Sequence, residues 1–237
     1  MRTGVLIAHP DDEAWAFSSA WSADDSPVAL LCTTRGEAGA DFSGQRRRAQ
    51  ALSLERTREL AASVATLDGD QGRTAIEHLD LPDGRSASSA ARLVEGVGAW
   101  VEAPRLERVL PWGPAGGYGH IDHVACFDAA RALQMTLGVE LWTAVFPAAE
   151  ARALYERLRK VVRAPILIQD FDAAREAERI DRRLAVHAPT KARALEDHRT
   201  QLGSRRPEDF VFSPLNEHLF IQEDFMVWPA SVPDERP

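Results

Sequence analysis

Val5-Leu6-Ile7-Ala8 is an unbroken apolar run, and it stops on His9-Pro10-Asp11-Asp12-Glu13. A strand with one wet face alternates apolar and polar residues. An unbroken run marks a strand covered on both faces, as in a parallel sheet packed between helices. Residues 28–33 repeat the pattern, and residues 108–111 and 141–146 carry shorter versions. Between them lie helical patterns at residues 11–21, 45–67, 89–102 and 120–137, with Gly69 placed to end the second. A short strand is expected at residues 75–79, before the Pro82-Asp83-Gly84 turn, and polar loops at 36–44 and 113–119.

This alternation predicts a Rossmann-like α/β fold: a doubly wound, mainly parallel sheet with helices on both faces. The last third is less regular. Residues 165–171 read as a strand, 172–184 as a charged helix, 189–201 as a helix, 211–227 as a β-containing closing segment and 229–237 as a frayed end. With no linker, repeat or low-complexity block in its 237 residues, the chain reads as one domain, 1–237.

In open parallel sheets, ligands sit beyond the carboxyl ends of the strands. Two polar clusters fall there. His9 and Asp12, three apart at a helix start, can converge on one point, and an imidazole with a carboxylate suits a divalent ion such as Zn2+. Asp11 lies between them, free to act on a metal-bound water. Helix capping would account for one of these acids, but not for three in a row after a histidine. The second cluster, Gly119-His120-Ile121-Asp122-His123, follows the strand at 108–111. His123 completes the three protein ligands a catalytic metal needs, His120 stands beside the metal as donor or acid, and Asp122 is expected to orient His123 or another polar group.

Together the clusters resemble the LmbE/PIG-L family of zinc-dependent deacetylases, which includes the mycothiol and bacillithiol biosynthetic deacetylases. Ala8-His9-Pro10-Asp11-Asp12-Glu13 and Gly119-His120-Ile121-Asp122-His123 carry the resemblance. Thr34-Arg35-Gly36-Glu37, Arg56 with Glu59, Leu81-Pro82-Asp83-Gly84 and Lys191…His198-Arg199-Thr200-Gln201 extend it over roughly residues 4–202. It implies His9, Asp12 and His123 as metal ligands, Asp11 as general base and His120 as stabiliser or acid. It further implies Tyr118 near the reacting carbonyl, Arg56 and Asp83 at the sugar, and His198 closing over the pocket. Glu13 is read as a supporting or capping acid. Ile121, where the family commonly has Pro, and Thr200, where Ser is frequent, are departures that leave the subfamily open.

The implied reaction is hydrolysis of an N-acyl group on an amino sugar conjugate, with Zn2+, or another divalent ion such as Fe2+, as cofactor. The aglycone is open among inositol, malate, lipid and glycopeptide. A non-catalytic sugar-binding module of the same fold and, more distantly, a non-haem iron oxygenase are the competing readings. Trp112 reads equally as a sugar-pocket wall or as packing, Cys126 as core, and His78, His187 and His218 as structural. A net charge of −8 argues against nucleic acid as a partner. Two cysteines fit a reducing compartment, and the N-terminal apolar run is too short for a signal peptide or a membrane span, so a cytoplasmic enzyme, with a homo-oligomer open, is expected.

Overall fold

A computed structural model describes residues 1–22, 27–162, 165–176, 179–212 and 216–230. Its strands are β1 (Thr3–Ile7), β2 (Ala29–Cys32), β3 (Ala75–His78), β4 (Arg108–Leu110), β5 (Glu140–Val145), β6 (Arg182–Ala185) and β7 (Gln222–Trp228). They form one sheet in the order β3-β2-β1-β4-β5-β7-β6. The first five run parallel, and β7 and β6 close the sheet antiparallel.

The helices are α1 (Asp12–Ala16), α2 (Ala49–Asp68), α3 (Ala90–Glu102), α4 (Gly116–Gly119), α5 (Ile121–Leu137), α6 (Ala148–Val161), α7 (Ala173–Glu176), α8 (Ala188–Asp197), α9 (Arg199–Leu202) and α10 (Asn216–Leu219). Alternate residues of β1 feed different cores. Val5 and Ile7 join Leu30, Leu60 and Leu195 on one face, while Leu6 and Ala8 join Leu31, Val97 and Cys126 on the other. Both faces of the strand are buried, which is what its unbroken apolar run requires. Gly69 and Gly138 end α2 and α5 in the left-handed conformation, where an L side chain would be strained.

Sequence and structure agree on the parallel strands and diverge at several other points. The helix expected at 11–21 stops at Ala16 and passes into a 3₁₀ turn, Ser18–Ser22. Residues 165–171 make only a bridge, Leu167 to His120. The charged helix expected at 172–184 is one turn, α7, followed by strand β6, with residues 177–178 outside the described part. The helix at 189–201 breaks at His198, whose φ of −85° and ψ of 61° separate α8 from α9. The closing segment holds one strand, β7, after a 3₁₀ turn (Pro207–Phe212) and α10. Of the end expected to fray, residues 231–237 lie outside the described residues. Helix α6 was not expected at all.

The chain reverses the direction of strand addition between β1 and β4, which lie side by side. A parallel sheet opens a crevice at the carboxyl ends of such a pair. His9 to Asp12 leave β1 there, and Trp112 to His123 leave β4.

Candidate active site

Asp12 opens α1 with one carboxylate oxygen committed and the other spare. Its Oδ2 accepts the backbone N–H of Ala8 (3.0 Å), that of His9 (3.0 Å) and the Trp112 indole N–H (3.1 Å). Its Oδ1 lies 3.4 Å from His123 Nε2. That nitrogen is 3.2 Å from His9 Nδ1, which is 3.8 Å from Asp12 Oδ2. Ligands at zinc–nitrogen and zinc–oxygen distances on a tetrahedral ion stand about 3.4 Å apart.

The far side of each ring sets its tautomer, here assigned from the hydrogen-bond network. His123 Nδ1 faces the carbonyl of Gly116 at 3.1 Å and so carries the proton. His9 Nε2 faces Asp122 Oδ2 at 3.2 Å and Asp83 Oδ1 at 3.3 Å and does likewise. The two remaining lone pairs point at each other and at Asp12 Oδ1, an arrangement that only a positive charge relieves. The charges nearby agree. Burial opposes ionisation of His9, yet hydrogen bonds to Asp122 and Asp83 outweigh it and raise its pKa well above the ordinary value. Burial likewise opposes ionisation of Asp12, but His123 and His9 outweigh it and keep Asp12 ionised. The donor set fits a divalent ion. Nitrogens of His9, His120 and His123 also lie within 4.8 Å of one another, as do donors of His9, Asp83 and Asp122.

Of the two partners left open for Asp122, His123 or another polar group, the structure selects another, His9. Asp122 is held in place by the N–H groups of Gly84 (2.7 Å) and Ser86 (2.8 Å). A carboxylate behind an imidazole is a common way to fix ring orientation.

Asp11 has a φ of 127°, outside the range L residues favour. Such strain persists only where neighbours over-determine it. Here Glu13 Oε2 accepts the Asp11 N–H (3.0 Å), and the Gln201 side chain donates to the Pro10 carbonyl (2.6 Å). Burial first, then the charge of Asp12, push the Asp11 carboxyl up to about 7, where a general base works at neutral pH.

His198 is a correction. It does not line the pocket. The helix break turns its ring inward, fully buried, to within 2.5 Å of Glu13 Oε1, which also accepts from Ser63 (2.6 Å). A fully buried Glu13 needs partners, and these supply them. Glu13 thus supports the backbone of Asp11.

His120 caps α5: its Nδ1 accepts the Asp122 N–H at 3.2 Å, so Nε2 carries the proton. Burial, then His9 and His123, lower its pKa well below the usual value, so the ring stays a neutral donor. Burial and the charge of Asp12 hold the half-buried Tyr118 phenol neutral as well. Arg56 donates to the carbonyls of Gly36 (2.7 Å) and Ala40 (3.1 Å), and Asp83 accepts from Ala38 N (2.9 Å). A cavity of about 470 Å³ joins these groups: His9, Asp11, Asp12 and His120 at its base, Arg56, Asp83 and Arg85 on a polar wall, and Trp15, Tyr118, Ile166 and Phe210 on an apolar one.

Sequence reasoning left Trp112 open between pocket wall and packing, and it missed Glu176. Trp112 is fully buried and does not line the cavity; it touches Asp12 and His123 from beneath. Glu176, also fully buried, accepts the Ala115 N–H at 2.8 Å and holds the loop before His120. A lone Trp or Glu has no spacing to betray such a role.

The chain is 26% identical to the 1D-myo-inositol 2-acetamido-2-deoxy-alpha-D-glucopyranoside deacetylase of Streptomyces griseus, over 95% of this chain and 83% of that protein. The enzyme of the same name in Saccharomonospora viridis is 28% identical over 87% of each. A Catenulispora acidiphila counterpart is 29% identical over 58% of this chain, a match spanning only 44% of that protein. The fold matches N,N'-diacetylchitobiose deacetylase from Pyrococcus horikoshii (TM-score 0.64, 17% identity, 96% of this chain and 84% of that one). It also matches the zinc-inhibited form of teicoplanin deacetylase (TM-score 0.62, 18% identity, all of both chains). A Pseudomonas putida 4-carboxy-2-hydroxymuconate hydratase shares it too (TM-score 0.60, 14% identity, all of both chains), so fold alone does not choose the reaction. The sequence model of the PIG-L family, GlcNAc-PI de-N-acetylase, matches residues 5–134, a span that includes both polar clusters. The chain belongs to the PIG-L family.

Proposed function

We propose that this enzyme removes the acetyl group from an N-acetylglucosamine conjugate, using one divalent ion, Zn2+, held by His9 Nδ1, Asp12 Oδ1 and His123 Nε2. The observation that carries the reading is the convergence of these groups beside Asp11: the two nitrogens are 3.2 Å apart, Asp12 Oδ1 is 3.4 Å from His123 Nε2, and the other Asp12 oxygen, Oδ2, is 3.8 Å from His9 Nδ1. When bound, such an ion acidifies a water and polarises the carbonyl.

The residues divide the remaining work. The Asp11 carboxylate takes the proton of the attacking water. The N–H at His120 Nε2 and the Tyr118 hydroxyl donate to the oxygen on which charge develops. Since His120 stays neutral, it is a poor acid for the departing amine. Asp11, holding the proton it has just taken and with a pKa of about 7, returns it to that nitrogen. Arg56, Asp83 and Arg85 offer donors and acceptors to sugar hydroxyls from the polar wall.

No helix among the described residues is long and apolar enough to cross a membrane. Both cysteines are buried and free, which supports a reducing, cytosolic setting.

The test is amine release from a panel of N-acetylglucosamine glycosides, with metal content measured in parallel. Turnover with about one zinc per chain is expected. Zinc-loaded enzyme that releases no amine from any of them, yet hydrates an unsaturated acid, would overturn the reading in favour of the hydratase chemistry. Protein that takes up no metal would favour a binding module.

A further inference from the structure

We infer that Trp112 is a positioning residue for the metal centre, holding two of its three ligands at once. The inference rests on the assignment of Asp12 and His123 as ligands. Trp112 leaves β4 and lies fully buried beneath the site. Its ring stacks on His123, with centroids 4.1 Å apart and planes 3° from parallel. Its Nε1 donates to Asp12 Oδ2 at 3.1 Å.

The hydrogen bond helps hold Asp12 in its ligating orientation. Oδ2 already accepts two backbone N–H groups at 3.0 Å, and the indole is the third donor. The two backbone N–H groups already occupy the lone pairs of Oδ2, so Asp12 offers Oδ1, and the indole adds a side-chain anchor that keeps the carboxylate in that orientation. One-point ligation leaves room on the ion for both a water and a substrate carbonyl, as a catalytic site needs. The stack fixes the other ligand. A His123 held only by Nδ1 to the Gly116 carbonyl could still rotate about that bond; the parallel indole removes this freedom.

The packing around Trp112 is built for this placement. Trp15, Phe17, Phe146 and Tyr118 meet it at interplanar angles from 51° to 87°, and His123 alone lies flat against it. Gly117 passes directly over the indole, where a Cβ would come within 2.8 Å of it. A tryptophan that merely filled the core would need neither the N–H contact nor the parallel ring.

Trp112→Phe separates the two effects, since it keeps a ring for the stack and deletes the donor; Trp112→Leu deletes both. Removing an outer partner of a metal ligand typically costs about 10- to 100-fold in metal affinity. By chelator competition, Trp112→Phe is expected to bind zinc about 10-fold more weakly and Trp112→Leu more weakly still. In the cobalt-substituted protein the visible bands should shift in Trp112→Phe, because the Asp12 carboxylate loses the donor that helps fix its orientation at the ion. Thermal melting and circular dichroism establish that each variant is folded, and a loss of stability alone moves neither readout. Wild-type zinc affinity and an unchanged cobalt spectrum in folded Trp112→Phe would overturn the inference. His123→Ala and Asp12→Ala run alongside. If they keep their zinc, the ligand assignment has failed; if they lose it while Trp112→Phe is unchanged, only the role of Trp112 has.

Discussion

The two strand–helix junctions that build the site solve one problem by opposite means. Between β1 and α1 the chain turns in four residues, 8–11, none of them glycine, and Asp11 absorbs the turn at a φ of 127°. Between β4 and α5 it takes ten residues, 111–120, and Gly116, Gly117 and Gly119 adopt positive φ without a Cβ to strain. The short junction carries the proposed proton acceptor and is clamped by Glu13, itself held by the distant His198 and Ser63, and by the distant Gln201. The long one carries the proposed oxyanion donors, Tyr118 and His120, and rests on Glu176 and Trp112. A base must sit at one fixed distance from its water, so strain is tolerated there. Donors that follow a developing charge can ride on a loop.

The sharpest way to break this contrast is to exchange the residue types. Asp11→Gly removes the base and also the strain. Turnover should fall by about 10²- to 10⁴-fold at unchanged zinc content. The fold should nevertheless gain about 1 kcal/mol, because strain relief of about 1–3 kcal/mol exceeds the roughly 0.5–1 kcal/mol entropic cost of glycine. A lower melting temperature would mean that Asp11 is not strained. In the long junction the opposite exchange, Gly117→Ala, should destabilise by about 1–3 kcal/mol, since φ is 72° and the new Cβ meets Trp112. Denaturant unfolding of the pair reads both signs.

Much of this contrast was hidden in the sequence, for identifiable reasons. His9, Asp12, His120 and His123 stand out because strand-to-helix geometry brings neighbours in sequence to one point. The clamps do not: Glu13 meets His198 across 185 residues, and Asp122 meets His9 across 113. Spacing cannot report such pairs, which is why the sequence leaves the partner of Asp122 open between His123 and another polar group and places His198 at the pocket mouth. The parallel strands were legible from their apolar runs. Strand β6 was not, because Arg182-Arg183-Leu184-Ala185 is a largely exposed edge whose conformation comes from pairing with β7. Helix α6 keeps only a narrow apolar stripe, Ala151, Leu154 and Tyr155, among charged residues.

Glu176 sharpens the comparison from the other side. Burial pushes its pKa from an ordinary 4.5 up to about 8, against the pull of the backbone N–H groups it accepts. A folded-state pKa above the unfolded one gives stability that is complete below about pH 4.5 and is lost as pH rises through about 8. The wild-type melting temperature should therefore fall across that window, with a shallower slope in Glu176→Gln. Glu176→Ala, which orphans the Ala115 N–H, should cost about 1–3 kcal/mol. It should also slow turnover more than it weakens zinc, because it loosens the loop and leaves α1 untouched. An identical pH slope in Glu176→Gln would exclude this carboxyl as its source.

The smallest effect expected is at Gln201, the clamp on the short junction farthest from the chemistry. Its Nε2 holds the Pro10 carbonyl, and its Oε1 lies 2.6 Å from Thr200 Oγ1, which is itself 2.5 Å from Glu59. Gln201→Leu keeps the volume but leaves the Pro10 carbonyl without its donor, at a cost of about 1 kcal/mol. With Glu13 still holding the Asp11 N–H, Asp11 should shift only slightly, lowering kcat a few-fold with KM and zinc affinity unchanged. If KM rises instead, Gln201 acts on substrate and not on the backbone of the base. If kcat falls as far as in Asp11→Gly, then Gln201 alone sustains the strained φ, and Glu13 is not the principal clamp.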